Sequence, residues 1–140
     1  MTTIFADHKK GVMVCDSRCT DSSTWHPVTK VFQVGDELVG MAGDVKDGRA
    51  WLKWYQSGKK GARPKLENFI ALSLRKDGVY EHGSDGLELL IERGFHGIGT
   101  GGPMAIAAYM AGADAVKSVH IAIAIDAGSG GEVHTHKLKK

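Results

Sequence analysis

The residues best suited to chemistry begin at the second position. Met1-Thr2-Thr3 sets a hydroxyl beside the start of the chain, and loss of Met1 would give Thr2 a nucleophilic oxygen together with its own α-amine as base. Threonine behind methionine is common, so this pairing matters only if other residues receive it. Gly97-Ile98-Gly99-Thr100-Gly101-Gly102 satisfies G-x-G-x-x-G, and Asp126 follows at about the distance of a ribose-binding acid, the pattern of a dinucleotide site if 94–126 is a βαβ unit. His134 and His136 would share one face of a strand and could hold a metal, but two imidazoles lack a third ligand. Cys15 and Cys19 are too few for a disulfide framework and lack the second ligand pair of a structural zinc site. Cys15 reads as a core residue. Taken singly, Asp16 and Lys30 read as an ion pair of little worth, and Ser129 as turn chemistry.

The bulk numbers exclude several classes. At 140 residues the chain is expected to form one domain (1–140) with one core. Its 18 basic and 16 acidic residues are intermixed, for a net charge of +2, so no field of one sign points to nucleic acid or an anionic membrane. Ile4 and Phe5 are followed at once by Asp7, His8, Lys9 and Lys10, unlike a signal peptide. No apolar run reaches the length of a membrane span. A reducing cytoplasm is therefore the expected location.

The elements that must position these groups are mostly short strands. Thr3-Ile4-Phe5 and Val12–Cys15 flank a turn closing on Gly11. A polar loop through Ser23 precedes a strand over Val28–Val34, and Leu38–Ala42 is a fourth strand. Ala50, Trp51, Trp54 and Tyr55 recur at helical spacing up to Ser57-Gly58, and the basic stretch 59–65 reads as a solvated loop. Phe69–Leu74 and Gly78–Glu81 form a hairpin, with short strands at 87–91 and 95–98. Pro103–Gly112 is helical with proline at its start, and 133–138 is a last strand. Residues 119–126 are ambiguous: alternation and β-branched content favour a strand, while Val116, Val119, His120 and Ile123 also make a helical face. This order indicates an α+β or layered α/β fold. It disfavours the dinucleotide reading, because the preceding chain is antiparallel in character and too little follows to complete a doubly wound sheet.

In their order, these residues resemble the proteasome β-subunit family of N-terminal nucleophile hydrolases, particularly HslV-type peptidases. Thr2-Thr3-Ile4 is similar to the mature N-terminus, Asp16-Ser17-Arg18-Cys19-Thr20 to D-S-R-x-T, and Lys30 to the lysine of the third strand. Ala42-Gly43 with Asp47 resembles A-G-x-x-x-D. Gly99–Pro103 resembles G-S-G-G-P, with Thr100 in place of the serine, and Asp126–Gly131 resembles D-x-x-S-G-G.

The resemblance implies an α+β fold, an αββα sandwich with two antiparallel sheets between helical layers, and makes 115–126 a helix. It implies Thr2 as nucleophile with its amine as base, Lys30 paired with Asp16 beside it, and the Gly43 N–H as oxyanion donor. Asp126 and Ser129 would orient the amine, helped by Thr100. Cys19, Val28, Phe32, Met41 and Val45 would surround an apolar pocket for the residue before the cut, and Thr20 would bind substrate backbone. The implied function is a threonine peptidase needing neither cofactor nor metal, acting on peptides or unfolded protein in a homo-oligomer or ring, with an ATP-dependent unfoldase as a possible partner. A catalytically silent assembly protein and a non-peptide amidohydrolase are alternatives on the same fold. The family's second long helix has no counterpart between Tyr55 and Phe69.

Overall fold

A computed structural model describes residues 1–139. Strands β1 (Ile4–Asp7) and β2 (Val12–Cys15) form a hairpin whose turn needs Gly11 at φ +66°. The chain continues through β3 (Arg18–Asp21), β4 (Thr24–Pro27), β5 (Val31–Val34) and β6 (Glu37–Gly43) to helix α1 (Val45–Gln56). Strands β7 (Phe69–Arg75), β8 (Gly78–Gly83), β9 (Glu88–Leu90) and β10 (Phe95–Ile98) precede helices α2 (Gly102–Met110) and α3 (Ala115–Ile125), and β11 (His134–Lys137) ends the order. One antiparallel sheet runs β10-β1-β2-β11, the other β5-β6-β7-β8-β9, and β3-β4 is a separate hairpin.

Period-two alternation decides the layering. Ile4, Ala6, Met13 and Cys15 point one way from the first sheet and meet Val31, Leu38, Leu72, Leu74 and Val79 of the second in one buried cluster. Their neighbours Phe5 and Val14 point the other way, onto Ala105, Val119 and Ala122 of α2 and α3. On the far side of the second sheet, Val39, Phe69 and Ala71 pack on Trp51 and Tyr55 of α1. The result is the αββα sandwich that the resemblance implies, with one helix on the outer face of the second sheet. Each large apolar side chain so buried contributes about 1.5–3 kcal/mol. The sheets approach closely where Ile4 crosses Gly40, since a Cβ there would lie 2.9 Å from Ile4 Cγ2.

The segment over 119–126 is helical. Asp114 caps α3 by accepting the Lys117 N–H at 2.8 Å. Ala115, Ser118, Val119 and Ala122 form its buried stripe, so packing on Phe5 and Val14 outweighs β-branched propensity. With a helix there, 94–126 contains no βαβ unit and the dinucleotide reading fails. Two further expectations are corrected. The polar loop through Ser23 is the β3-β4 hairpin, with Ser22 at φ 49° in its turn. Residues 28–30 are not part of β5; they lead from that hairpin, anchored by the Val28 N–H to Ser17 O bond of 2.8 Å.

Between α1 and β7 the described chain has neither helix nor strand. Gly58 at φ +80° and Lys59 at φ 63° end the helix. Arg63 then fastens the loop by donating to the carbonyls of Gly83 and Ser84. No described helix is long and apolar enough to cross a membrane.

Candidate active site

Thr2 lies immediately before β1 and is held from both sides by backbone. Its carbonyl accepts the Gly101 N–H at 3.1 Å, while the next residue extends the β1-β2 ladder, with the Asp16 N–H donating to Thr3 O at 3.1 Å. The Thr3 N–H donates in turn to Asp16 Oδ1 at 3.0 Å. Asp16, fully buried at the end of β2, also accepts from the Gly130 N–H (3.0 Å) and from Lys30 Nζ (2.9 Å).

Lys30 is the cation at the centre of this cluster. The residue is 8 % exposed, and the three donors of its ammonium are used on Asp16 Oδ1, on Thr2 Oγ1 at 3.2 Å and on Met1 O at 3.1 Å. The opposite charge and the two further acceptors offset the desolvation cost of this ammonium, which an unpaired charge would carry in full. The departure of the chain from β4 through 28–30, rather than a longer strand, brings Lys30 to this position.

A second hydrogen-bonded chain runs behind Thr2. Thr100 Oγ1 and Ser129 Oγ each donate to Asp126 Oδ2 at 2.6 Å, and Ser129 Oγ lies 2.7 Å from Thr3 Oγ1. Burial opposes ionisation of Asp126, but the hydrogen bonds from Ser129, Thr100 and the Gly128 N–H outweigh it and hold the carboxyl below the usual Asp range. Close approach makes the glycines here obligatory. A Cβ on Gly101 would lie 1.8 Å from Thr3 Oγ1, and one on Gly99 2.1 Å from Thr2 O.

Gly43 ends β6 at φ +106°, and a Cβ there would lie 2.3 Å from Asn68 O, so no other residue fits. Asp47 in the first turn of α1 fixes that neighbour by accepting the N–H groups of Glu67 (3.0 Å) and Asn68 (2.9 Å). The Asn68 N–H, followed by that of Glu67, holds the Asp47 carboxyl below its usual range.

Two cavities meet at this point. One, of about 630 Å³, is lined by Thr2, Lys30 and Gly43 together with all six expected substrate-pocket residues: Cys19, Thr20, Val28, Phe32, Met41 and Val45. The other, of about 610 Å³, is lined by Thr2, Gly43, Asn68, Phe69, Gly99 and Thr100 among others. Met1 lines both and is 73 % exposed. A cleft on either side of Thr2 and Gly43 can receive an extended chain on both sides of a reacting carbonyl.

Asp16, Lys30, Thr100, Asp126 and Ser129 are thus all brought around Thr2 and Thr3. With Met1 attached, the Thr2 nitrogen is an amide, and Ser129 is bonded to Thr3 instead. Sequence reasoning missed Arg18, which lines the first cavity and whose guanidinium donates to Ala127 O (2.6 Å) and Ser129 O (3.0 Å), binding β3 to the loop that carries Asp126. Its place inside Asp16–Thr20 was the available signal. Arg49 and Leu52 of α1 also line this cavity and carried no signal.

No protein-family model matches the chain, and no curated protein matches it in sequence. Solved structures do. Eukaryotic HslV from Trypanosoma brucei superposes with a TM-score of 0.77 at 21 % identity, covering 96 % of this chain and 98 % of that one. Thiobacillus denitrificans BPH gives 0.71 at 17 % identity over 99 % of each chain. Its complex with epoxomicin gives 0.70 at 19 % identity over 99 % of this chain and all of that one. At these identities the likeness is one of architecture: the chain has the fold of HslV and BPH.

Proposed function

We propose that this chain is a single-domain threonine peptidase whose nucleophile is Thr2 Oγ1 after removal of Met1. The observation that carries the reading is the contact of Lys30 Nζ with Thr2 Oγ1, at 3.2 Å, in a pair with the fully buried Asp16.

With Met1 gone, the Thr2 nitrogen becomes a free amine within the Asp126 and Ser129 network. The positive charge of Lys30 favours the neutral, proton-accepting form of that amine and the negative form of the oxygen. Thr2 Oγ1 attacks the substrate carbonyl and its proton passes to the amine, directly or through water. The Gly43 N–H stabilises the resulting oxyanion, in a place where the missing Cβ keeps the approach open. The tetrahedral species collapses by breaking the C–N bond, and the leaving amine takes the proton from Thr2. Water, deprotonated by the Thr2 α-amine, then attacks the Thr2 ester, and the proton passes from that amine to Thr2 Oγ1 as the acid product leaves.

The apolar side chains of Val28, Phe32, Met41 and Val45 support cleavage after hydrophobic residues. We also propose a cytoplasmic homo-oligomer. In support, α2 and α3 present an apolar outer groove, lined by Met104, Ala107, Ala108, Ile121 and Ile125, in which Ile125 is 63 % exposed.

The test is hydrolysis of fluorogenic peptides with an apolar residue before the cut, by wild type and Thr2→Ala. Turnover and covalent labelling by epoxomicin in wild type alone support the proposal. Equal turnover in both excludes Thr2, and absence of turnover in a wild type that retains Met1 supports a silent relative.

A further inference from the structure

His136 Nε2 is shut off from solvent and has no hydrogen-bond partner among the described residues, an orphan of the kind that an unfilled ligand position produces. The pairing of β2 with β11 sets His134 opposite Cys15 and His136 opposite Met13. Residues two apart on a strand share a face, so both imidazoles and the thiol project from the same side of the sheet. Met13 and Cys15 on that side belong to the cluster between the sheets. One ligand atom from each of Cys15, His134 and His136 lies within 4.8 Å of the other two.

We propose that Cys15, His134 and His136 form a site for Zn²⁺ that fastens the edge strand β11 to β2. One thiolate and two imidazoles suit a borderline-soft transition ion and not Mg²⁺ or Ca²⁺. Donors around a tetrahedral zinc are about 3.3–3.8 Å apart, so rotation of the two rings about their side-chain torsions closes the set. The fourth position falls to solvent or to Glu132, whose Oε2 is 3.7 Å from His134 Nε2 on a side chain 90 % exposed and free to turn. On binding, a sulfur–metal bond forms and the Cys15 thiol proton leaves to solvent. Cys15 adjoins Asp16 in the chain, but none of the three ligands lines either cavity at Thr2, and metal binding does not depend on the peptidase chemistry.

The experiment is a Co²⁺ titration of the full chain, purified metal-free and without an affinity tag. The expected result is one Co²⁺ per chain, tetrahedral d–d absorption, a thiolate-to-cobalt charge-transfer band, and displacement by Zn²⁺ with a rise in melting temperature. Cys15→Ser should abolish the charge-transfer band, whereas Cys19→Ser should keep it. His134→Gln and His136→Gln should each weaken binding by more than about 100-fold. Should Cys15→Ser fail to fold, His136→Gln carries the test. No binding at micromolar Co²⁺, cobalt spectra lacking the charge-transfer band, or unchanged affinity in His136→Gln would overturn the proposal.

Discussion

Lys30 Nζ and Asp16 Oδ1 lie 2.9 Å apart in a pair almost wholly withdrawn from water. Asp16 also accepts two backbone N–H groups, from Thr3 and Gly130, so the carboxylate ties together β1, β2 and the loop after α3 while holding the Lys30 ammonium that touches Thr2. Stability and the proposed chemistry therefore meet in the same two side chains.

Removing Lys30 leaves Asp16 buried without its counter-ion. Lys30→Met should lower unfolding free energy by about 3–5 kcal/mol, read from urea denaturation, and should lower peptidase turnover nearly as far as loss of Thr2. Adding Asp16→Asn should restore part of the stability and none of the activity. A Lys30→Met variant with full turnover would remove the lysine from the mechanism.

Thr2→Ala deletes the proposed nucleophile at a position where only one hydroxyl contact, to Lys30, is lost. Turnover should fall by at least about 10³-fold, with melting temperature little changed. Thr2→Ser should retain measurable hydrolysis.

The substrate pocket should be open to redirection through α1. Val45 lines the cavity and is largely exposed to it. Val45→Glu should depress kcat/KM for peptides with an apolar residue before the cut by about tenfold or more and raise it for basic ones, measured on a matched substrate panel.

His82 should make the fold sensitive to acid. It is buried, with Nε2 2.9 Å from Ser73 Oγ and its ring against Trp51 and Tyr55. Burial, opposed by Glu88, depresses its pKa from 6.5 to about 4. The unfolded chain then binds a proton that the folded chain refuses, so stability falls as pH drops from 6.5 to about 4 and this contribution is constant below. His82→Gln should flatten that part of the stability–pH curve. Asp126 works in the other sense of charge: its folded pKa is depressed, so its contribution is complete above the ordinary Asp range and is lost below it. Ser129→Ala should weaken that acid dependence.

Much of the fold was readable because its strands carry strong patterns. Val12–Cys15, Leu38–Ala42 and the two arms of the 69–81 hairpin are apolar runs next to glycine turns, and they form β2, β6, β7 and β8. The β3-β4 hairpin was not readable, because most of its residues are exposed and no face is apolar. Helix α3 was ambiguous, since its sequence satisfies both periods and only its packing on the first sheet decides. For the site, Thr2, Lys30 and Asp126 are far apart in sequence, so their meeting was legible only through the family pattern. The convergence of Cys15 with His134 and His136 depends on strand register, which no local pattern encodes. It supplies the third ligand that the two histidines lacked.

The most direct measurement is intact mass of the purified protein, taken on the same sample that is assayed for peptide hydrolysis. The Thr2 mechanism predicts a chain lacking Met1, with Thr2 as its N-terminus, in every sample that hydrolyses peptide. Hydrolysis by a chain that retains Met1 throughout would contradict it, because no Thr2 amine would then exist to take the proton.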